Sequence, residues 1–410
     1  MKTFFKVVDI ETVRALSTSF HRQAVETVPL KAANNRVLAQ DVVADLDIPG
    51  FSRSTMDGYA LRGASTFGAS EGNPAFLRLV GSVAMGAKPD LAVGPGEAVR
   101  IATGGMLPEG ADAVVMIEHT EAIDAETIEV YKSAAPGQHV ISRGEDLHRG
   151  DKLLGRGQLL RSPEVGLLAA VGQSRLDVFK QPRVGILSTG DEVVPVDTIP
   201  GPAQIRDVNS ATLASQVQSA GGRPQAYGII PDDYDALLSV CRQALAANDM
   251  VLISGGSSVG TRDYTIDVLQ ALEASEILVH GVSIRPGKPT ILARAAGKPV
   301  WGLPGHVTSA MVVFTVLVRP FLMYLAGRDP QFTCRVPVPA RLTRNLPSVQ
   351  GRVDYVRVRL VPAAEGWDAE PLLGKSGLIR TMAAADGLLC IDANTEGLDQ
   401  GTLVQVELFE

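Results

Sequence analysis

The sequence predicts a multidomain α/β plus β chain: a central α/β domain with a mostly parallel sheet, a β-rich inserted domain, a helical connecting domain and a small C-terminal β domain. Three observations lead there. Apolar strand-like runs alternate with amphipathic helical segments between Arg183 and Ala326, the signature of parallel strands joined through helices. Short β-like runs punctuated by Gly/Pro clusters fill about 52–141. A further set of strand-like runs occupies the stretch from about 330 to the end.

The bulk numbers permit this plan. A chain of 410 residues holds two to four domains, and 45% hydrophobic with 20% charged residues is ordinary globular usage, so a core forms without metals or disulfides. The net charge of -7 offers no long-range field for nucleic acid or anionic lipid, so neither is expected as a partner and any anionic ligand must be held locally. Cys241, Cys334 and Cys390 are far apart and form no CxxC pair; they read as buried small hydrophobes in a reducing compartment. Asp9 and Glu11 interrupt the start of the chain where a signal peptide needs an apolar stretch. The apolar run 310–318 is broken by Arg319 and Pro320, short of the roughly 20 residues of a membrane span. A soluble, cytoplasmic protein is expected.

In chain order, residues 9–45 show helical periodicity with few breakers, ended by the Pro-Gly turn of Asp47-Ile48-Pro49-Gly50-Phe51. From about 52 to 141, runs such as 76–80 and 113–118 are separated by Gly94-Pro95-Gly96 and Pro108-Glu109-Gly110. Residues 142–178 turn helical again, with Pro163 near a helix start and apolar Val165, Leu167, Leu168 and Val171; they are expected to rejoin the first segment. Strands are then expected over 184–187, 225–230, 250–253, 277–284, 290–293 and 300–303. Between them fall helices over 210–220, 234–246 and 264–272, and a long helix follows through Ala326. Runs over 335–342, 355–361, 387–391 and 403–408 complete the chain. The expected boundaries are therefore 1–51 with 142–178, 52–141, 179–328 and 329–410.

Ligands of open α/β sheets bind beyond the carboxyl ends of the strands. Those ends carry Ser188-Thr189-Gly190-Asp191-Glu192, Pro231-Asp232-Asp233, Ser254-Gly255-Gly256-Ser257-Ser258-Val259-Gly260, Arg285-Pro286-Gly287-Lys288-Pro289 and Gly302-Leu303-Pro304-Gly305-His306. Gly255 and Gly256 allow close backbone approach and Ser257 and Ser258 supply hydroxyls, as in a phosphate cradle, although the same turn would serve as a tight strand-to-helix connection. Arg285 and Lys288 sit on a stiff turn and suit phosphate or another tetrahedral oxyanion; either alone would also pass as a solvated surface charge. Asp191, Glu192, Asp232 and Asp263 supply oxygen ligands suited to magnesium beside a phosphate, with helix N-capping as the plainer role for Asp191 and Asp263.

Other chemistries are disfavoured. The Gly255-Gly256 spacing does not fit GxGxxG, and Pro289 stands where a Walker loop needs Ser or Thr. No HExxH, zinc-finger or Gly-x-Ser-x-Gly pattern is present.

The ordered series of motifs resembles the molybdopterin molybdenumtransferase family, which includes the C-terminal domain of gephyrin, over nearly the whole chain. It comprises Pro49-Gly50-Phe51 through Ser54-Thr55-Met56-Asp57-Gly58-Tyr59-Ala60, Ile101-Ala102-Thr103-Gly104, Pro108-Glu109-Gly110-Ala111-Asp112 and Arg143-Gly144-Glu145-Asp146. Ser188-Thr189-Gly190-Asp191-Glu192 and the Gly255-Gly256 loop ending in Asp263-Tyr264 follow. The resemblance implies a three-layer α/β molybdopterin-binding domain, an elongated linker domain, a C-terminal small β-barrel and a homodimer. Asp57 and Thr103 would reach over from the β-rich segment of the other subunit. Three departures stand out: Ser257-Ser258 after Gly255-Gly256, Arg285 as the first cation of its turn, and His306-Val307 within Pro304-Gly305-His306-Val307-Thr308-Ser309.

The implied reaction inserts molybdate into the dithiolene of adenylylated molybdopterin and releases AMP. Asp57, Asp263 and Lys288 are the expected catalytic residues, and Glu192, Asp232 and Asp263 the magnesium ligands. Thr103, Gly190, Asp191, Glu192, Gly255, Gly256, Ser258, Arg285, Pro304, Ser309, Arg357 and Ser376 would bind substrate, with Arg352 also at a family position. Adenylylated molybdopterin and molybdate are the implied substrates. The adenylyltransferase that makes the AMP ester and recipient molybdoenzymes are implied protein partners. Two alternatives are a molybdopterin adenylyltransferase, against which the β-rich segments and Asp57 motif speak, and a non-catalytic binding or scaffold protein.

Overall fold

The computed structural model describes residues 7–255, 264–332 and 336–409. The chain forms two compact units, one of Met1–Gln40, Arg156–Arg161 and Arg175–Glu410, the other of Asp41–Gly155 and Ser162–Ser174.

The first unit is built on a six-stranded sheet. Its strands are β1 (Arg183–Thr189), β2 (Arg223–Ile230), β3 (Met250–Ser254), β4 (Glu276–His280), β5 (Ile291–Ala295) and β6 (Lys298–Leu303). The spatial order is β2-β1-β3-β6-β5-β4, parallel from β2 to β6 and antiparallel at β5 and β4. Helices α1 (Val208–Ser219), α2 (Tyr234–Ala247) and α3 (Thr265–Gln270) connect the strands, and α4 (Val307–Leu325) follows β6.

Strand alternation makes this a three-layer sandwich. Val184 and Ile186, Met250 and Leu252, and Trp301 and Leu303 pack in one cluster with Leu213 and Val217 of α1 and the apolar face of α4. Leu187, Val251, Ile253 and Val300 pack on the other side with Leu237 and Cys241 of α2 and Val268 and Leu269 of α3. Both faces are therefore buried, which explains why these strands read as continuous apolar runs. The chain leaves β1 through α1 to β2 on one flank and returns to β3 on the other. The strand order thus reverses between β1 and β3, and such a switch point opens a crevice at the carboxyl ends.

The same unit contains a closed β-barrel. Val353–Pro362 pairs with Trp367–Pro371, which pairs in parallel with Val338–Leu342; Leu403–Leu408 and Gly387–Ile391 complete the ring back to Val353–Pro362. Ala340, Leu342, Val358, Ala369, Leu389, Ile391, Val404 and Val406 fill it. A parallel bridge of Ile284–Arg285 to Val353 and Asp354 ties the barrel to the α/β sandwich.

The second unit carries a six-stranded sheet in the order Ala113–Met116, Gly58–Leu61, Glu97–Ile101, Ala75–Ser82, Thr127–Val130, Thr120–Ala122. Tyr59, Leu61, Leu77, Ala98, Val115 and Ile128 form its core.

Several local expectations are corrected. Helix occupies only Ile10–Ala15 within 9–45, where Asp9 caps it; Val25–Pro29 is a strand paired antiparallel with Arg175–Phe179. β-Branched Val25, Thr27 and Val28 favour that extended pairing over a helix. In 142–178 the helix is confined to Ser162–Ala170. The expected strand 277–284 divides into β4 and Ile284–Arg285. Cys241 is buried but Cys390 is exposed, because Leu389 and Ile391 take the inward positions of its strand; Cys334 lies outside the described residues.

Arg319 and Pro320 interrupt the apolar run without ending α4, which passes them behind a π-helical stretch at Phe314–Val318. The Val316 carbonyl, four residues before Pro320, instead accepts from Arg14 Nε at 3.0 Å. This helix is long and apolar enough to cross a membrane, yet it is mostly buried in the sandwich core.

Candidate functional site

Two clefts open side by side in the first unit. One, of about 1240 Å³, lies between the Arg285–Pro289 turn and the barrel. The other, of about 1070 Å³, occupies the switch point at the ends of β1 and β3. Pro289, Pro304 and His306 line both.

The first cleft is cationic. Arg285, Lys288, Arg352, Arg357 and Lys375 line it, against the carboxylate of Asp354. The bridge between Ile284–Arg285 and the barrel strand sets Arg285 opposite Asp354 in register. Asp354 is 4% exposed, and its two oxygens face two guanidinium groups: Arg352 Nε at 2.9 Å and Arg285 Nη1 at 3.5 Å. A buried carboxylate is tolerated when so paired. Gly287 has φ +113, and a Cβ there would fall 2.4 Å from Val313 Cγ2, so the turn needs glycine to lie against α4. Thr290 closes it by donating to the Gly287 carbonyl at 2.7 Å.

Across this cleft, Arg357 donates to Thr381 Oγ1 at 2.7 Å and to the Gly374 carbonyl at 2.9 Å. Burial lowers its affinity for its proton relative to a free guanidinium. This fork fixes the start of the loop that carries Lys375 and Ser376. Ser376 Oγ lies 3.1 Å from His306 Nδ1, and its carbonyl accepts from Thr308 N–H at 3.1 Å. Ser309 is buried, and with Pro304 it belongs to the same lining.

The second cleft is carboxylate-lined, with Glu192, Asp207 and Asp232 against Arg206. Asp207 is engaged in holding the fold, since it caps α1 through Ser210 N–H at 3.0 Å and accepts from Ser188 Oγ at 2.9 Å. Asn209 Nδ2 donates to Ser254 Oγ at 2.6 Å and to the Gly305 carbonyl at 2.8 Å, which clamps the ends of β3 and β6 to the start of α1. Asn209 Oδ1 and Thr189 Oγ1 are buried here without a hydrogen-bond partner among the described residues. Two such groups in one cleft mark polar positions that a ligand can satisfy. Gly190 has φ +140 and Gly255 φ +111; a Cβ on Gly255 would stand 2.5 Å from the Thr189 carbonyl.

The sequence-selected residues sort accordingly. Arg285, Lys288, Pro304, Ser309, Arg357, Ser376 and Arg352 meet in the cationic cleft, and Gly190, Glu192, Asp232 and Gly255 meet in the second. Asp191 lines neither. It does not cap a helix either, because its Oδ1 accepts from Asp232 N–H at 3.1 Å and shapes that turn. Gly256, Ser258 and Asp263 lie outside the described residues. Among the described residues no group of three or more His, Cys, Asp or Glu is placed to hold a metal. Glu192 and Asp232 share a cleft, however, and magnesium takes one or two carboxylates together with substrate phosphates and water, so this donor set fits it.

In the second unit, Asp57 and Thr103 are paired. Asp57 Oδ1 accepts from Thr103 N–H at 2.7 Å and from Thr103 Oγ1 at 2.9 Å. These bonds, the backbone one foremost, hold the Asp57 carboxyl below the usual carboxylate range.

Sequence reading missed Asn209, Asp354, Lys375 and Arg206. Asn209 had a faint signal, standing two residues beyond a capping aspartate at a strand-to-helix connection. Asp354 had none, because it enters the site only through pairing between strands far apart in sequence.

Comparison with known proteins gives matches along most of the chain. Residues 8–172 match the model of the MoeA N-terminal region (domain I and II), 185–324 that of a probable molybdopterin binding domain, and 339–409 that of the MoeA C-terminal region (domain IV). A putative molybdopterin biosynthesis protein of Methanocaldococcus jannaschii is 36% identical over 94% of this chain and 92% of its own length. A molybdopterin molybdenumtransferase of Bacillus subtilis is 33% identical over 97% and 93%. The solved structure of a molybdopterin biosynthesis MoeA protein from Pyrococcus horikoshii OT3 superposes with TM-score 0.83 and 30% identity, covering 98% of this chain and 100% of the other.

Proposed function

From the premise that this chain belongs to the molybdopterin molybdenumtransferase family and serves molybdenum cofactor biosynthesis, we propose how its two clefts divide the reaction. Adenylylated molybdopterin lies along the strand ends with its phosphoanhydride in the carboxylate-lined cleft. Molybdate occupies the cationic cleft. The observation that carries this reading is the common wall of Pro289, Pro304 and His306, which sets a cation-lined cleft directly beside a carboxylate-lined one.

The chain's residues have distinct roles in this reading. Lys288 and Arg285 supply positive charge to the tetrahedral oxyanion from the α/β side, and Arg357 with Ser376 from the barrel side. Ser309 and Pro304 shape the floor between them. Gly190 and Gly255 let the nucleotide approach the backbone, and Thr189 Oγ1 with Asn209 Oδ1 offer it buried polar partners. Glu192 and Asp232, with Asp263, would hold magnesium, which when bound offsets the charge of the phosphoanhydride. Holding both substrates at one wall replaces a bimolecular encounter with an oriented one, so that molybdate meets the dithiolene sulfurs as AMP departs.

The four-part division at 1–51 with 142–178, 52–141, 179–328 and 329–410 belongs to this proposal. So do a homodimer, catalytic roles for Asp57, Lys288 and Asp263, substrate contacts of Thr103, Gly256 and Ser258, and a cytoplasmic location. The adenylyltransferase and recipient molybdoenzymes are the protein partners it implies. Titration of Lys288→Ala tests the division of labour. Molybdate affinity should fall about tenfold or more while nucleotide affinity holds; equal loss of both would remove Lys288 from the oxyanion site.

A further inference from the structure

Among the described residues, His306 is the one polar side chain that lines both clefts. Its Nδ1 faces the cationic cleft, 3.1 Å from Ser376 Oγ. Its opposite edge faces the other cleft: Cδ2 lies 3.9 Å from where a Cβ of Gly377 would sit, and Gly377 lines the carboxylate-lined cleft. His306 thus lines both clefts, with Nδ1 held on the cationic side and the Cδ2 edge of the ring toward Gly377.

A neutral imidazole carries its proton on one nitrogen, and a serine hydroxyl has one proton to donate. These two facts link the clefts. If Nδ1 is the acceptor, Ser376 donates to it and has no proton left for an oxyanion. If Nδ1 carries the proton, it donates to Ser376, whose hydroxyl is then free to donate to an oxyanion in the cationic cleft. The second arrangement leaves Nε2 as an acceptor, and a hydroxyl or amine donor in the carboxylate-lined cleft stabilises it.

We propose that His306 couples the two clefts: a hydrogen-bond donor on the nucleotide bound in one selects the tautomer that turns Ser376 into a donor for the oxyanion in the other. The inference rests on the assignment of nucleotide and oxyanion to separate clefts. His306 is thus a positioning residue for the oxyanion, and the device orders the substrates, since molybdate binds well only beside a seated nucleotide. Lys288, Lys375 and Arg357 line the cleft on one side and Glu192, Asp207 and Asp232 the cleft on the other, and the coupling is a matter of proton placement on the ring between them.

The test is calorimetric titration of the full chain with molybdate, with and without saturating AMP and magnesium. AMP should tighten molybdate binding about fivefold or more, and by linkage molybdate should tighten AMP by the same factor. In His306→Phe, which keeps an aromatic wall but has no ring nitrogen, the ratio should fall to about one while both ligands still bind. A wild-type ratio of one with both ligands bound overturns the coupling and leaves the two-cleft assignment standing. Coupling that survives in His306→Phe overturns it as well. Failure of the wild-type protein to bind either ligand overturns the assignment itself, and the coupling with it.

Discussion

Thr103 grips one oxygen of Asp57 twice, through its backbone N–H at 2.7 Å and its hydroxyl at 2.9 Å. Both bonds favour the ionised carboxylate, so the folded-state pKa is depressed. The sign follows from linkage: the contribution to stability is present above the unfolded pKa and fades as pH falls through the folded one. Thr103→Val keeps the N–H bond and removes the hydroxyl. The Asp57 carboxyl should then titrate at higher pH in a carbon-13 NMR series, though still below an ordinary aspartate. An unchanged midpoint would show that the hydroxyl contributes nothing.

Asn209 should matter to fold and ligand together. Asn209→Ala removes both bonds that tie α1 to the ends of β3 and β6 and leaves the Gly305 carbonyl without that donor. The expected loss is about 1–3 kcal/mol in urea unfolding, and AMP binding should weaken in the same variant. Full stability with full AMP affinity would exclude Asn209 as a clamp.

Arg357 is expected to act through geometry as much as charge. Its fork to Thr381 and Gly374 fixes the loop that carries Ser376, and a lysine cannot reproduce two directed bonds. Arg357→Lys should lower molybdate affinity by about tenfold, a loss of about 1.4 kcal/mol, and leave AMP affinity unchanged in calorimetric titration. Equal molybdate affinity in the variant would show that charge alone suffices.

Trp301 offers a control that separates fold from site. It is fully buried against Phe321, with ring centroids 5.0 Å apart in an edge-to-face contact. Trp301→Ala should cost about 3–5 kcal/mol in chemical unfolding. A much smaller loss would contradict the packing of α4 on the sheet.

The α/β sandwich was legible in the sequence because strands buried on both faces produce apolar runs, with amphipathic helices between them. The β-rich stretch and most barrel strands announced themselves by Gly/Pro punctuation. Val25–Pro29 did not, because its partner lies about 150 residues away and local periodicity favoured a helix. Trp367–Pro371 escaped notice for a related reason: its pattern, Trp-Asp-Ala-Glu-Pro, buries only Ala369 and Pro371 in the barrel. The long helix through Ala326 was visible, but not how it accommodates Pro320; that depends on the long-range bond from Arg14 to the Val316 carbonyl.

The linings of the two candidate clefts were legible in halves. Strand-end rules located Gly190, Glu192, Asp232 and Gly255, and the paired cations Arg285 and Lys288 stood out by charge. The resemblance added Arg357 and Ser376. What sequence could not supply was adjacency: that Arg285 meets Asp354 across a strand bridge, and that His306 borders two clefts at once. Both relations depend on the barrel closing over the α/β sheet edge.

The most direct measurement of the central claim is AMP release from adenylylated molybdopterin by the purified protein with magnesium, with and without molybdate. The two-cleft reading predicts release that depends on molybdate and is lost in Lys288→Ala. Tight pterin binding without release, or release indifferent to molybdate, would contradict it.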